Sequence, residues 1–174
     1  FYQSYDRGKT WDFLNHLAVG QFYNVTVDDS DPYRIGGGLQ DNGSWIGTGE
    51  SVFESQGDYM GRKGALGNAE WKAVMGGDGF HVAFDPTDRN VVYAEWQGGN
   101  IGRTRLDDGS WRFLKAAARE GEQRYRYNWN APFFVSPHDP TVLYHGGNHV
   151  FKLTKRGDEW ERISPDLTRA EPDK

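Results

Sequence analysis

The sequence predicts an all-β chain folded as a partial β-propeller of about three and a half four-stranded antiparallel blades. Three observations lead there. Segments 27–35, 84–92 and 135–143 each read as strand, polar turn centred on an aspartate, strand. Their shared Asp31, Asp88 and Asp139 stand 57 and 51 residues apart (31 to 88, 88 to 139), close to the roughly 40–50 of propeller blades. Composition agrees, since 23 glycines, seven tryptophans and 15% aromatic residues favour short strands joined by tight turns. The opening octapeptide Ser4-Tyr5-Asp6-Arg7-Gly8-Lys9-Thr10-Trp11 has the chemistry of a tight hairpin. Asp6 is placed to accept backbone amides across the turn, Gly8 to supply a positive φ, and Trp11 to anchor the next strand.

Taken in order, residues 1–4 and 11–14 are the last two strands of a leading half blade, 1–15, joined by the octapeptide. Three blades follow, at about 20–75, 78–115 and 130–164. In each, the innermost strand (22–27, 80–84, 132–135) leads into the aspartate turn and the second (33–39, 90–96, 142–146) leaves it. The third strands are 44–47, 101–106 and 150–154, and the fourth begin at Trp71, Trp111 and Trp160. The third-to-fourth turns 107–111 and 155–160 look like decayed copies of the octapeptide.

Two insertions interrupt the repeat. Residues 48–70, Gly-rich and polar, fall between the third and fourth strands of the first full blade; 115–130 fall between blades. The run 114–120 suits one short helical turn, and nothing else argues for helix. The tail, 165–174, leads toward a next blade. Propellers close with about four to eight blades, each burying its faces only against neighbours. The expected partners are therefore the remaining blades of a larger propeller chain, or other copies that close the ring. A start inside a strand, Phe1-Tyr2-Gln3, favours the first.

Composition also narrows function. A formal charge of −5 without runs of like charge argues against a nucleic-acid groove or an anionic membrane surface. The chain has no cysteine, which removes disulfides and thiolate metal sites. No apolar run approaches the ~20 residues of a membrane helix, so no membrane insertion is expected.

Propeller geometry places inter-blade connections and second-to-third turns on one face, with the other two kinds of connection on the opposite face. The first face gathers Gln40, Asp41, Asn42, Asp78, Gln97, Asn100, Arg124, Arg126, Tyr127, Trp129 and His149 beside the central channel. These are the expected contacts for a saccharide or peptide ligand. Each also has a plainer reading. Gly76-Gly77-Asp78-Gly79 has no following helix to cradle phosphate and reads as a tight turn in which Asp78 caps backbone amides. Gln40 and Gln97, equivalent in consecutive blades, can bond neighbouring turns instead of a ligand. The stretch 124–129 mixes planar donors with stacking faces, fit for a ligand or for anchoring a long loop. His145 and His149 lack a third ligand at metal spacing. Asp28-Asp29-Ser30-Asp31 lacks the bidentate glutamate of a calcium loop and is better read as an Asx-turn. No metal and no cofactor is expected.

The octapeptide fits Ser-x-Asp-x-Gly-x-Thr-Trp, with Ser4, Asp6, Gly8, Thr10 and Trp11 fixed, and resembles the Asp-box of BNR-repeat propellers. That group includes sialidases, sortilin-type receptor domains and xyloglucanase-type glycosidases. The phrases Gly37-Gly38-Leu39-Gln40-Asp41-Asn42-Gly43-Ser44-Trp45, Gly76-Gly77-Asp78-Gly79-Phe80, Ser136-Pro137-His138-Asp139-Pro140 and Ile163-Ser164-Pro165-Asp166-Leu167-Thr168 extend the likeness along the chain. They are similar to large bacterial sortilin-N-terminal-like proteins often labelled glycosyl hydrolases. The resemblance implies a secreted or envelope-associated propeller of many blades, and implies that the octapeptide is structural and lies away from the ligand face. Tyr33-Arg34-Ile35-Gly36 lacks the proline of the sialidase arginine motif. A xyloglucanase-like reading would draw on the carboxylates Asp41, Asp78 and Glu95, since glycosidic hydrolysis needs a pair ~5–10 Å apart. None stands in that family's Asp-x-Gly-Gly context. The expected role is a binding module, with a glycoside hydrolase as the alternative.

Overall fold

The computed structural model describes residues 2–13, 20–49 and 71–169. Among them are fourteen strands in four antiparallel sheets, and the architecture is an all-β partial propeller. A two-stranded sheet pairs β1 (Tyr2–Gln3) with β2 (Asp12–Phe13). The first full sheet runs in the order β3 (Phe22–Val27), β4 (Arg34–Leu39), β5 (Gly43–Thr48), β6 (Lys72–Met75). The second runs β7 (Gly79–Phe84), β8 (Val91–Trp96), β9 (Asn100–Arg105), β10 (Trp111–Phe113), and the third β11 (Phe133–Val135), β12 (Leu143–Gly146), β13 (Val150–Thr154), β14 (Glu159–Arg162). Strand ends differ from expectation by a residue or two, as frayed ladder ends do. Phe1, residues 14–19, residues 50–70 of the insertion, and residues 170–174 lie outside the described residues.

The three second-to-third turns have one length, with pairs Leu39↔Gly43, Trp96↔Asn100 and Gly146↔Val150 enclosing three residues each. Asp41 meets the turn's demand for a left-handed backbone with φ 59° in the first sheet, and Gly98 and Gly99 do so in the second. The short first-to-second turns are held by side chains accepting their amides. Asp85 caps Thr87 and Asp88, Asp88 caps Asn90, and Asp139 caps Thr141. In the first sheet Asp28, not the shared Asp31, takes that role toward Ser30 and Arg34. This is the expected Asx-turn chemistry.

The expected helical turn at 114–120 is absent. The Leu114 N–H continues the ladder to Ile101 O at 2.9 Å, and Leu114 and Ala116 are buried against Phe151 and Leu153. Burial between sheets outweighs a weak local helical preference. A 3-10 turn at Lys155–Gly157 appears instead where no helix was expected.

The two seams between full sheets are built differently. On β8, alternation sends Val92 and Ala94 toward Ile46, Val74 and Val82, while Val91 and Tyr93 face the cluster of Leu143, Phe151 and Leu153. Between the first and second sheets the backbones nearly touch. A Cβ on Gly38 would run into the backbone of Gly79 and Phe80, and one on Gly36 into Val82 and Phe84. In the second sheet Tyr93 and Glu95 hold the positions of Gly36 and Gly38, counted from the turn pairs. They keep the third sheet at a distance, and the connecting segment fills the gap with Leu114, Ala116, Tyr125 and Tyr127.

Arginines tie the sheets at the aspartate-turn face. Arg34 pairs with Asp28 at 2.6 Å and donates to Arg89 O at 2.6 Å. Arg156 pairs with buried Asp85 at 2.8 Å, and Arg103 donates to Arg156 O and to Asp158.

Candidate functional site

The opening octapeptide closes as its residue types require. Asp6 Oδ1 accepts the Lys9 and Thr10 N–H groups at 2.9 and 2.8 Å, Oδ2 accepts the Thr10 hydroxyl, and Ser4 Oγ accepts the Gly8 N–H. Gly8 has φ 83°, and Arg7 joins it at 62°, which the sequence does not announce. The Thr10 amide, then the Thr10 hydroxyl, hold the Asp6 carboxyl below its ordinary value. These bonds occupy the carboxylate within its own hairpin.

The opposite face is a continuous relay of turns bonded to inter-blade connections. The Asp41 N–H donates to Asp78 Oδ1 at 2.7 Å, the Gly43 N–H to Gly77 O, and the Asp78 N–H to Gln97 Oε1 at 2.8 Å. The Gly98 N–H continues to Trp129 O at 2.8 Å, and the Asn148 N–H to Arg126 O at 2.7 Å. Each second-to-third turn thereby grips the connection that follows its blade. Asn148 and Asp166 repeat the arrangement at the third sheet, where the Leu167 N–H donates to Asn148 O.

The expected ligand residues divide into three groups. Gln40, Asp41, Asn42, Arg124, Arg126 and Trp129 are exposed, Trp129 by 58%. Asp78, Gln97, Asn100 and Tyr127 are half-buried and engaged with the fold. Asn100 donates to Gln97 O through Nδ2 and accepts Lys115 Nζ on Oδ1. Tyr127 donates to Ala116 O at 3.0 Å and stacks on His145. His149 and Glu95 are buried, His149 facing Ser164 O through Nδ1. Arg126, though exposed, reaches Asp166 and Thr168 at 2.8 and 2.7 Å. The Asn148 amide leads the contacts that hold the Asp166 carboxyl far below its ordinary value.

Among the three carboxylates considered for hydrolysis, Asp41 is exposed and Asp78 is spent on the neighbouring turn. Glu95 is fully buried, with Oε1 accepting the Ala131 N–H at 2.6 Å. Burial pushes its carboxyl up to about 8 against the pull of the Ala131 and His81 amides.

Several anchoring residues carry no signal in the sequence. Lys115 donates to Gly98 O at 2.8 Å from 4.5 Å over the Tyr127 ring, and Asp166 lies 40 residues from Arg126. Two open cavities have other linings. One of about 590 Å³ is lined by Arg119, Glu122, Tyr125, Trp160 and their neighbours. The other, about 520 Å³, lies between Arg34, Thr48, Lys72 and Arg89. None of the sequence-predicted ligand residues lines either.

No family model matches the chain, and no curated protein matches it. A solved structure described as a putative 6-phosphogluconolactonase from Bacteroides fragilis is similar at 18% identity and a TM-score of 0.47, over 89% of this chain and 44% of that one. The chain thus spans less than half of that protein's length.

Proposed function

We propose that the chain is a segment of a secreted or envelope-associated BNR-repeat propeller, akin to the bacterial sortilin-N-terminal-like proteins, that binds a saccharide or peptide on its turn face. One observation carries this reading. Two of the three carboxylates suited to hydrolysis are consumed by the fold, Asp78 by the Asp41 amide and Glu95 by the Ala131 amide inside a seam, while Gln40, Asn42, Arg124 and Trp129 stay exposed. Amides, a guanidinium and an indole face recognise hydroxyls and sugar rings without a catalytic pair. The turn relay holds these groups on a fixed backbone, which lowers the ordering cost of binding. The octapeptide supports the family reading through Asp6 and its amide contacts.

A glycoside hydrolase would find in Glu95 a carboxyl protonated near neutrality, as a general acid requires, but one that is 0% exposed. A glycan-array screen with turnover assays on the full-length protein separates the two. Binding without turnover is expected, weakened at least tenfold, about 1.4 kcal/mol, by Trp129→Ala. Hydrolysis that disappears in Asp41→Ala or Asp78→Ala would overturn the binding reading.

A further inference from the structure

The seam between the second and third sheets contains two titratable side chains that the turn face does not use. Glu95 projects from β8 on the side of Val91 and Tyr93, and His145 from β12 on the side of Leu143; both are 0% exposed. Glu95 Oε2 has no hydrogen-bond partner, nor has either ring nitrogen of His145. The apolar cluster of the same seam includes Tyr93, Ile101, Leu143 and Phe151, with Ile101 opposite Glu95 on β9 and Phe151 opposite His145 on β13. An ion left alone in such a layer is disfavoured, so near neutrality the closed seam holds both groups uncharged.

The neighbours reinforce this. His145 lies on the Tyr127 ring at 5.0 Å and 21°, and Lys115 Nζ stands 4.5 Å over that ring. Burial first, and Lys115 second, push the imidazole down to about 4. The other titratable groups bordering the pair are His81 from β7, Tyr93 from β8, and Tyr125 and Tyr127 from the connecting segment, with His149 edge-on to Tyr125 at 5.6 Å. Arg103, Asp85, Arg156 and Asp158 lie toward the other end of the seam, bonded among themselves.

We propose that this seam is a proton-operated joint: closed, it keeps a proton on Glu95 and leaves His145 bare; opened to water, Glu95 releases its proton to solvent and His145 takes one up. The balance is one proton in either state across mildly acidic pH. Between the ordinary values of 4.5 for the carboxyl and 6.5 for the imidazole, opening is therefore independent of pH. Above 6.5 the opened pair holds no proton while the closed pair keeps one until about 8. Opening then rises by up to about tenfold per pH unit, roughly 30-fold in all from the acid-side plateau to well above pH 8. Below 4.5 the opened pair holds two protons, and opening is again favoured as pH falls toward about 4.

The test is native-state hydrogen exchange of the full chain from pH 4 to 9, reading the Ala131 protection factor after correction for intrinsic exchange. A plateau with a steep alkaline arm and a short acid arm is expected. Glu95→Gln, which still accepts the Ala131 N–H, should lose the alkaline arm and extend the acid arm up to about pH 6.5, and His145→Phe should lose the acid arm and extend the alkaline arm down to about pH 4.5. Infrared spectra near pH 6.5 should show a protonated-carboxyl carbonyl band that E95Q lacks, a readout independent of the folding of H145F. A flat wild-type profile from pH 6.5 to 8, an alkaline arm surviving in E95Q, or no such band in the wild type would each overturn the joint.

Discussion

Gly38→Ala is expected to cost about 3 kcal/mol or more, lowering the thermal midpoint by roughly 6–12 °C. The added methyl would meet the backbone of Gly79 and Phe80, not a side chain able to turn aside. Relief requires the first and second sheets to separate, which would uncover Phe80, now 2% exposed, and loosen Val82, Val92 and Ala94. Gly76→Ala is the matched control, since a Cβ there meets nothing within 4 Å and φ is not positive. It should stay within about 0.5 kcal/mol of the parent. Circular-dichroism melts of both variants decide the matter, and equal midpoints would mean that the sheets do not pack backbone to backbone.

Asp85→Ala is expected to lose about 3–5 kcal/mol, the scale for stripping one partner from a buried ion pair. Its carboxylate accepts Arg156 Nε at 2.8 Å, the Thr87 and Asp88 amides at 2.9 Å each, and the Tyr93 hydroxyl at 3.3 Å. Alanine leaves all four without an acceptor. Asp85→Asn keeps acceptor geometry without the charge and should fall between. Burial, the largest influence, pushes this carboxyl up, but Arg156 and the Thr87 contacts outweigh it and the net shift is downward. A depressed carboxylate stabilises the fold fully above its ordinary 3.8 and loses that contribution as pH falls through its folded value. Urea titrations of parent and D85A should therefore converge in strong acid. A gap that persists unchanged there would remove the ion pair as its cause.

Local signals account for most of what the sequence disclosed. Polar turns around Asp31, Asp88 and Asp139, each with a strand on either side, placed the strand order and the turns to within a residue or two. The opening octapeptide was legible for the same reason, because its donors and acceptors lie within four positions of Asp6. What stayed hidden depends on partners far along the chain. Arg126 looks like a ligand contact until Asp166, 40 residues on, takes it. Tyr127 looks like a stacking platform and instead stacks on His145. Glu95 follows Val91-Val92-Tyr93-Ala94, a run apolar on both faces, as strands buried on both sides are. Without alternation its direction was unreadable, and it sits inside the seam.

The unlike seams also set an order of failure under load. Sheets that meet backbone to backbone must slide or shear together, so the first and second behave as one stiff body. The third meets them through side chains and an interposed length of chain, which can peel one contact at a time. Tension along the chain is expected to detach the third sheet before the first two part from each other.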